Sequence, residues 1–438
     1  MNPLADQLNQ ALIAQAPSVY DMLSEVGKNL FFPKGILSQS AEAKEKAHAI
    51  NATIGIAKEA GHTMCFDSIR ESLHDIPPSQ ALTYAPSFGI PALRKQWQKE
   101  IVEKNPSLAG KPISLPVVTC GITHGIATFA DVWIDPGDVI LLPGMMWGNY
   151  SMVFSVRHRA RIRHYEMFTK DGGFNVSALG QAVQEEAAGN KKITVLLNFP
   201  HNPTGYTLTP AEADAVVDIL KQTADSGTSV VAVTDDAYFG LFYTAEAMKE
   251  STFGKLCGAH PKILAVKLDG ATKENYVWGL RVGFITYGGT FNGDPAVVFD
   301  ALERKTAGCI RGTISNASHL SQTILLNSML NEKNRAERQE KFDILKNRAN
   351  RVQVVSTDPK YASAWDVYPF NSGYFMCVRL KTVEAEPLRV YLLEKYGIGL
   401  ISLGKTDLRV AFSCMEAGDV EILFDTLYQA VKEMENPA

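Results

Sequence analysis

Paired cysteines, a dominant charge of one sign and long apolar runs are all missing from this 438-residue chain. The six cysteines (Cys65, Cys120, Cys257, Cys309, Cys377 and Cys414) are scattered and form no C-x-x-C pair. That spacing excludes a disulfide framework and reads as reduced, buried thiols of an intracellular protein. Cys120 and His124 have no second pair of ligand-type residues beside them, so no metal site is expected. With 43 Lys+Arg against 47 Asp+Glu, the net charge of -4 offers no footprint for nucleic acid or a membrane surface. No apolar run approaches the roughly 20 residues that cross a bilayer. Met1-Asn2-Pro3-Leu4-Ala5-Asp6 lacks a basic segment followed by an apolar one, so a secretory leader is not expected and the protein is placed in the cytoplasm. Internal repeats and low-complexity linkers are absent too.

The composition that remains, 46% hydrophobic and 21% charged, is that of an ordinary globular enzyme. Its length exceeds one typical core and predicts two interleaved domains. Residues near 1–50 are polar and helix-rich, ending in the charged run Ala41-Glu42-Ala43-Lys44-Glu45-Lys46, a solvated helical face. From about Pro116 short β-rich runs alternate with helical segments. The runs are 117–119, 139–142, 193–197, 230–234, 263–268 and 282–287. Strands so uniformly apolar are buried on both faces, which argues for an α/β fold with a mostly parallel, doubly wound sheet. Asp135-Pro136-Gly137-Asp138 and Asp171-Gly172-Gly173 supply turns. Thr209 suits the N-cap of a helix over 210–222. A charged helix over 331–351 reads as a connector into a smaller domain. The expected division is a large domain over 60–325, with 1–59 and 326–438 forming the small one.

Lys273 is oddly placed for a surface cation. It follows an apolar run through Leu268-Asp269-Gly270-Ala271-Thr272, where small residues leave its amine near the end of a strand. A lysine that attacks a carbonyl must be neutral, and burial or a neighbouring cation such as Arg281 lowers its pKa. Arg281 also suits a bidentate clamp on a phosphate. Asp235 closes another apolar run, which puts its carboxylate at the ligand-binding edge of an open sheet. There it can pair with a protonated pyridine nitrogen; read alone, the Asp-Asp pair favours a helix N-cap instead. Asn202 and Tyr238 offer an amide and a phenol to a ring oxygen. Gly121-Ile122-Thr123-His124-Gly125 opens a helix whose free N–H groups suit a phosphate. Trp147 reaches the same edge, where its indole can stack on a flat ring or pack in the core.

Taken together, these motifs resemble the class I/II (fold type I) aminotransferases, nearest the aspartate and aromatic branch, over most of the chain. Lys273 with Gly279, Arg281 and Gly283 is similar to that family's cofactor-lysine signature. Asn202-Pro203-Thr204-Gly205, Asp235-Asp236-Ala237-Tyr238 and Trp147-Gly148-Asn149 match three further elements. Tyr84 resembles the tyrosine that reaches across a homodimer to the partner's cofactor phosphate. Arg409 resembles the arginine that takes the substrate α-carboxylate, and Gly55 the segment lining it. Arg311 matches an arginine that reads a distal carboxylate from the neighbouring subunit. Gly270 departs from the pattern, since the family often has a serine there that touches the phosphate.

The resemblance implies transamination with pyridoxal 5'-phosphate between an L-amino acid (aspartate, glutamate or aromatic) and a 2-oxo acid such as 2-oxoglutarate. It implies a homodimer with shared active sites. Lys273 holds the cofactor as a Schiff base and shuttles the proton, Asp235 maintains the electron sink, and Tyr238 and Asn202 tune the ring oxygen. Thr123, His124, Arg281 and Tyr84 hold the phosphate, while Trp147 stacks on the ring. Gly55, Arg409, Arg311, Trp147 and Asn202 meet the substrate. The same scaffold also carries C–S lyases, decarboxylases and non-catalytic regulatory modules. A regulatory module needs a basic DNA-binding domain, for which the first fifty residues are too short and too weakly charged.

Overall fold

In a computed structural model, which describes residues 2–32 and 35–436, each expected apolar run forms a strand of one seven-stranded sheet. The strands are β1 (Val117–Thr119), β2 (Val139–Pro143), β3 (Arg161–Tyr165), β4 (Lys192–Asn198), β5 (Ser229–Asp235), β6 (Ile263–Gly270) and β7 (Gly283–Gly289). Their order across the sheet is β1-β7-β6-β5-β4-β2-β3. Pairs β2–β3, β2–β4, β4–β5 and β5–β6 are parallel, and only β7 runs against its neighbours. The mostly parallel α/β sheet is therefore as the apolar runs imply. One strand, β3, has no apolar run to announce it. It lies at the sheet edge and carries Arg161, Arg163 and His164, a charged strand of the kind that discourages edge-to-edge pairing.

Helices flank these strands where local chemistry starts them. In Pro210–Asp225, the Thr209 hydroxyl accepts from the Glu212 N–H at 3.2 Å and the Glu212 carboxylate accepts from the Thr209 N–H at 2.7 Å. This closes a capping box ahead of Pro210. The connector helix runs over Asn334–Ser356, a few residues later than the charge pattern suggests. The Asn331 side chain accepts from the Lys333 N–H at 3.0 Å, making a local turn that competes with helix over the first residues of that run.

Beyond the connector lies a four-stranded antiparallel sheet of β8 (Trp365–Val367), β9 (Phe375–Leu380), β10 (Ile401–Leu403) and β11 (Asp407–Ala411), ordered β8-β9-β11-β10. The chain's first part is tied to this region. Ile50–Asn51 pairs in parallel with Ile398–Gly399, and the Ala411 N–H donates to the Ala52 carbonyl at 2.9 Å. No described helix is long and apolar enough to cross a membrane.

Three glycines bring β6, β7 and the helix Gly121–Trp133 into backbone contact. A Cβ on Gly283 would lie 2.6 Å from the Gly121 carbonyl carbon, and one on Gly270 would lie 2.8 Å from the Val282 carbonyl oxygen. Side chains there must push strands apart. Gly270→Ser is expected to lower unfolding free energy by about 1–3 kcal/mol through overpacking, as read from urea denaturation. A midpoint equal to that of the unmodified protein would count against this packing.

Candidate active site

The parallel strands end together, and their last residues build the floor of the site. The Asn198 side chain at the end of β4 donates to the Asp235 carbonyl at 2.9 Å and accepts from the Asn202 N–H at 2.9 Å. Asp235, the last residue of β5, has both carboxylate oxygens engaged. Oδ2 accepts from the Tyr150 hydroxyl at 2.6 Å and Oδ1 from the Ala237 N–H at 3.1 Å. Burial pushes its pKa up to about 6, with the Tyr150 bond and the Lys273 charge acting in the opposite direction. The carboxylate is therefore ionised at neutral pH, as pairing with a cationic ring nitrogen requires.

Lys273 sits on a single helical turn, Ala271–Glu274, directly after β6. Its amine stands 4.7 Å from the centroid of the Tyr238 ring and has no hydrogen-bond or ion-pair partner among the described residues. Burial pulls its pKa down to about 8; Asp235 resists this shift and Arg281 adds to it. The Tyr374 hydroxyl donates to the Lys273 carbonyl at 3.3 Å and steadies the turn. The Tyr238 hydroxyl also makes no hydrogen bond among the described residues.

At one end of this floor the helix Gly121–Trp133 presents its N-terminus. Gly121 has φ +75, and a Cβ there would lie 2.5 Å from Arg281 Nη2, so the guanidinium packs directly on the turn. The N–H groups of Gly121, Ile122 and Thr123 find no acceptor among the described residues. His124 contributes differently. Its Nδ1 accepts from the Cys120 N–H at 3.1 Å, while Nε2 lies 3.3 Å from the Thr313 hydroxyl and 3.4 Å from that of Thr128. Burial lowers its pKa, and the imidazole serves the helix end. At Gly270, three residues before the lysine, backbone occupies the space a side chain would need.

At the other end Arg409 rises from β11. It is buried, donates from Nη2 to the Thr53 carbonyl at 2.8 Å and from Nη1 to Asn202 Oδ1 at 3.4 Å, and lies 4.1 Å over the Phe375 ring. Nε has no partner, and no carboxylate stands within ion-pair distance among the described residues. Gly205, with φ +75, lets the loop press on β9: a Cβ there would lie 2.0 Å from the Phe375 carbonyl oxygen. This seats Asn202 against Arg409. Gly55 closes the group, since a Cβ on it would lie 3.3 Å from Phe375 Cζ and 3.7 Å from the Tyr238 hydroxyl.

Lys273, Asp235, Tyr238, Asn202, Arg409, Gly55, Arg281 and the Gly121–Thr123 turn thus form one connected group. Trp147 joins it through Tyr150, its ring edge-on at 5.5 Å. Tyr84 and Arg311 stand apart. Tyr84 is 88% exposed, and Arg311 is exposed and donates to the Ser315 hydroxyl at 2.6 Å. The Ser87 hydroxyl donates to the Ser315 carbonyl at 2.8 Å, so the segments that carry both residues share one surface. Two site residues escaped the sequence reading. Tyr150 lies three residues beyond Trp147 and begins the π-helical turn Ser151–Arg157, while Phe375 reads as an ordinary strand residue.

These residues fit pyridoxal 5'-phosphate. A desolvated amine, an ionised carboxylate, an unengaged phenol and a cationic cradle of free N–H groups suit a carbonyl, a ring nitrogen, a ring oxygen and a phosphate respectively.

Comparison with known proteins agrees. The sequence model of the class I and II aminotransferases matches residues 47–427, and the chain belongs to that family. It is 26% identical over 254 residues to the aspartate aminotransferase of Bacillus sp. (strain YM-2), covering 58% of this chain and 60% of that one. It is 24% identical over 203 residues to the probable N-acetyl-LL-diaminopimelate aminotransferase of Bacillus subtilis (strain 168), covering 46% and 47%. The match thus spans about half to three-fifths of these curated relatives. A crystal structure of an aminotransferase from Anaerococcus prevotii superposes with a TM-score of 0.81 at 23% identity, over 95% of this chain and 99% of the other, and shares the fold.

In cofactor-free protein the Lys273 amine is expected to react with an amine-selective reagent with a midpoint near pH 8, reacting faster above it. Arg281→Met should raise the midpoint by removing a cation, and Asp235→Asn should lower it by removing an anion. Peptide mapping of the labelled protein across pH reads all three. A Lys273 midpoint at the ordinary lysine value would contradict its burial.

Proposed function

We propose that the protein is a pyridoxal 5'-phosphate-dependent aminotransferase acting between an L-amino acid and a 2-oxo acid. The observation that carries this reading is the Lys273 amine, which has no hydrogen-bond or ion-pair partner among the described residues and whose pKa burial lowers to about 8. When bound, the cofactor supplies a carbonyl carbon and a conjugated ring that accepts electron density from the substrate Cα–H bond. Lys273 would hold it through the amine, and Asp235 would keep the proton on the ring nitrogen. Tyr238 and Asn202 donate toward the ring oxygen, and Trp147 covers the ring. Arg281 and the Gly121–Thr123 N–H groups hold the phosphate.

Arg409 takes the substrate α-carboxylate with a guanidinium that already lacks an anion, which fixes the direction of the Cα–H bond. The Lys273 amine would serve as the base that takes the proton from the substrate Cα and as the acid that gives it back. An amine with a pKa of about 8 suits both transfers near neutral pH.

The finer proposals concern partners and substrate. Tyr84 and Arg311 are exposed on joined segments, which supports a homodimer in which each completes the other copy's site. An Arg311 guanidinium without a carboxylate partner among the described residues favours a dicarboxylic substrate such as aspartate or glutamate. The tie of residues 50–52 to the C-terminal sheet supports a small domain drawn from 1–59 and 326–438, beside a large one over 60–325. Six free cysteines support a cytoplasmic location.

Incubation with glutamate should convert the bound cofactor to its pyridoxamine form with release of 2-oxoglutarate. Pyruvate and ammonia from a cysteine-like substrate, without an acceptor, would establish a lyase instead. Lys273→Ala should lose the bound-cofactor absorbance shift and at least about 10²-fold in turnover, the scale of a lost general base. Arg311→Ala should lower kcat/KM for glutamate while sparing an aromatic amino acid. An equal loss on both substrates would remove the distal-carboxylate role.

A further inference from the structure

The residue that follows each central site residue turns away from the site. Asp236 follows Asp235 and Glu274 follows Lys273, and both carboxylates enter a buried ion network beneath the floor. Lys267, 1% exposed on β6, contacts Asp236 and lies 3.4 Å from Asp269. The Ser251 hydroxyl donates to Asp236 at 2.7 Å, and Trp97 Nε1 donates to Asp269 at 3.1 Å. Glu274 contacts Lys104 and accepts from Arg338 Nη1 at 2.7 Å; Glu100 contacts Lys104 and lies 3.4 Å from Arg338. A cavity of about 10 Å³, room for a single water, lies between the two halves and is lined by Trp97, Lys104, Lys267, Asp269 and Glu274.

This network joins elements far apart in sequence. Lys104 ends the helix Pro91–Lys104, and Arg338 belongs to the connector helix Asn334–Ser356. Glu274 belongs to the four-residue turn that carries Lys273. A single turn of helix is not stable alone, because its nucleation cost is not repaid. The Ala271 N–H donates to the Val282 carbonyl at 3.2 Å and ties the start of this turn to the residue before β7, and its later residues are held by the Tyr374 hydroxyl on the Lys273 carbonyl and by the two cations on Glu274. Burying a carboxylate costs several kcal/mol before pairing, so such a group contributes geometry more readily than stability.

We propose that Glu274 is the positioning residue for Lys273. Held by Lys104 and Arg338, it sets the rotation of the turn and with it the direction of the amine. Through Arg338 the same contact ties that direction to the connector helix, which leads into the region that carries Arg409. The inference rests on the role proposed for Lys273 above.

The test uses Glu274→Gln in the full-length protein loaded with pyridoxal 5'-phosphate. The visible circular dichroism per bound cofactor should fall severalfold, and kcat should drop by roughly tenfold with KM nearly unchanged, a split that removes orientation and not binding. Hydrogen exchange over 270–277 should quicken by about tenfold in cofactor-free and loaded protein alike, as local opening there becomes easier. Unchanged dichroism and unchanged exchange over 270–277, with only a lower melting temperature, would overturn the proposal. If Glu274→Gln does not fold, Arg338→Gln takes its place, and normal dichroism with normal exchange in that variant overturns it equally. Should the unmodified protein bind no cofactor, the aminotransferase reading fails, and the exchange measurement still judges Glu274.

Discussion

Holding an amine away from water without giving it an anion to grip is the constraint around which this site is built. Burial alone lowers the pKa of Lys273, but a buried cation next to a carboxylate would simply form an ion pair. The structure avoids this by placement: the Tyr150 hydroxyl and the Ala237 N–H hold the Asp235 carboxylate, and the Lys273 amine stands outside ion-pair distance of it. Asp235 then acts on Lys273 through space and does not capture it. Tyr150 therefore matters beyond its own bond: it favours the ionised carboxylate and holds it in place.

The same logic extends to both ends of the site. Arg281 and Arg409 are cations without a carboxylate partner among the described residues, and Arg409 has in addition a buried Nε with no acceptor. For the buried Arg409 such a guanidinium is costly unless an anion arrives, while the exposed Arg281 offers its charge to an anion at the other end. Lys273 stands between them in the connected group. A ligand assembly with a phosphate at one end, a carboxylate at the other and a carbonyl in the middle meets all three needs at once. That coincidence, more than any single residue, distinguishes the site from a surface collection of basic side chains.

Much of this was legible in the sequence because the signals were local. Five buried parallel strands and the antiparallel β7 appear as apolar runs, and Asp235 and Lys273 follow directly from the ends of such runs. What stayed hidden depended on contacts distant in sequence. β3 carries arginines because it is an edge, so an apolar criterion passes over it. Phe375 becomes a site residue only when β9 meets the Asn202 loop, about 170 residues away in sequence, a scale no local pattern conveys. That the His124 ring accepts from the Cys120 N–H could not be read from the sequence, because it requires knowing where that N–H points. Tyr84 and Arg311 could be placed in the sequence but lie exposed, outside the connected group.

Strand geometry also explains why charged residues recur beside the site in adjacent pairs. Successive side chains leave a strand on opposite faces, so Asp235 and Asp236 serve different layers although they are neighbours. Lys267 and Asp269, two apart on β6, share a face and lie 3.4 Å from each other. In a strand otherwise apolar, such residues look like flaws in the pattern. They persist because each is matched across the layer, Lys267 with Asp236 and Asp269 with the Trp97 indole. A buried pair of this kind adds little net stability over apolar packing, yet it penalises every register in which the charges fail to meet. The strand ends that hold Asp235 and Lys273 are therefore fixed by what lies beneath them, and the chemistry on top inherits its precision from that lower layer.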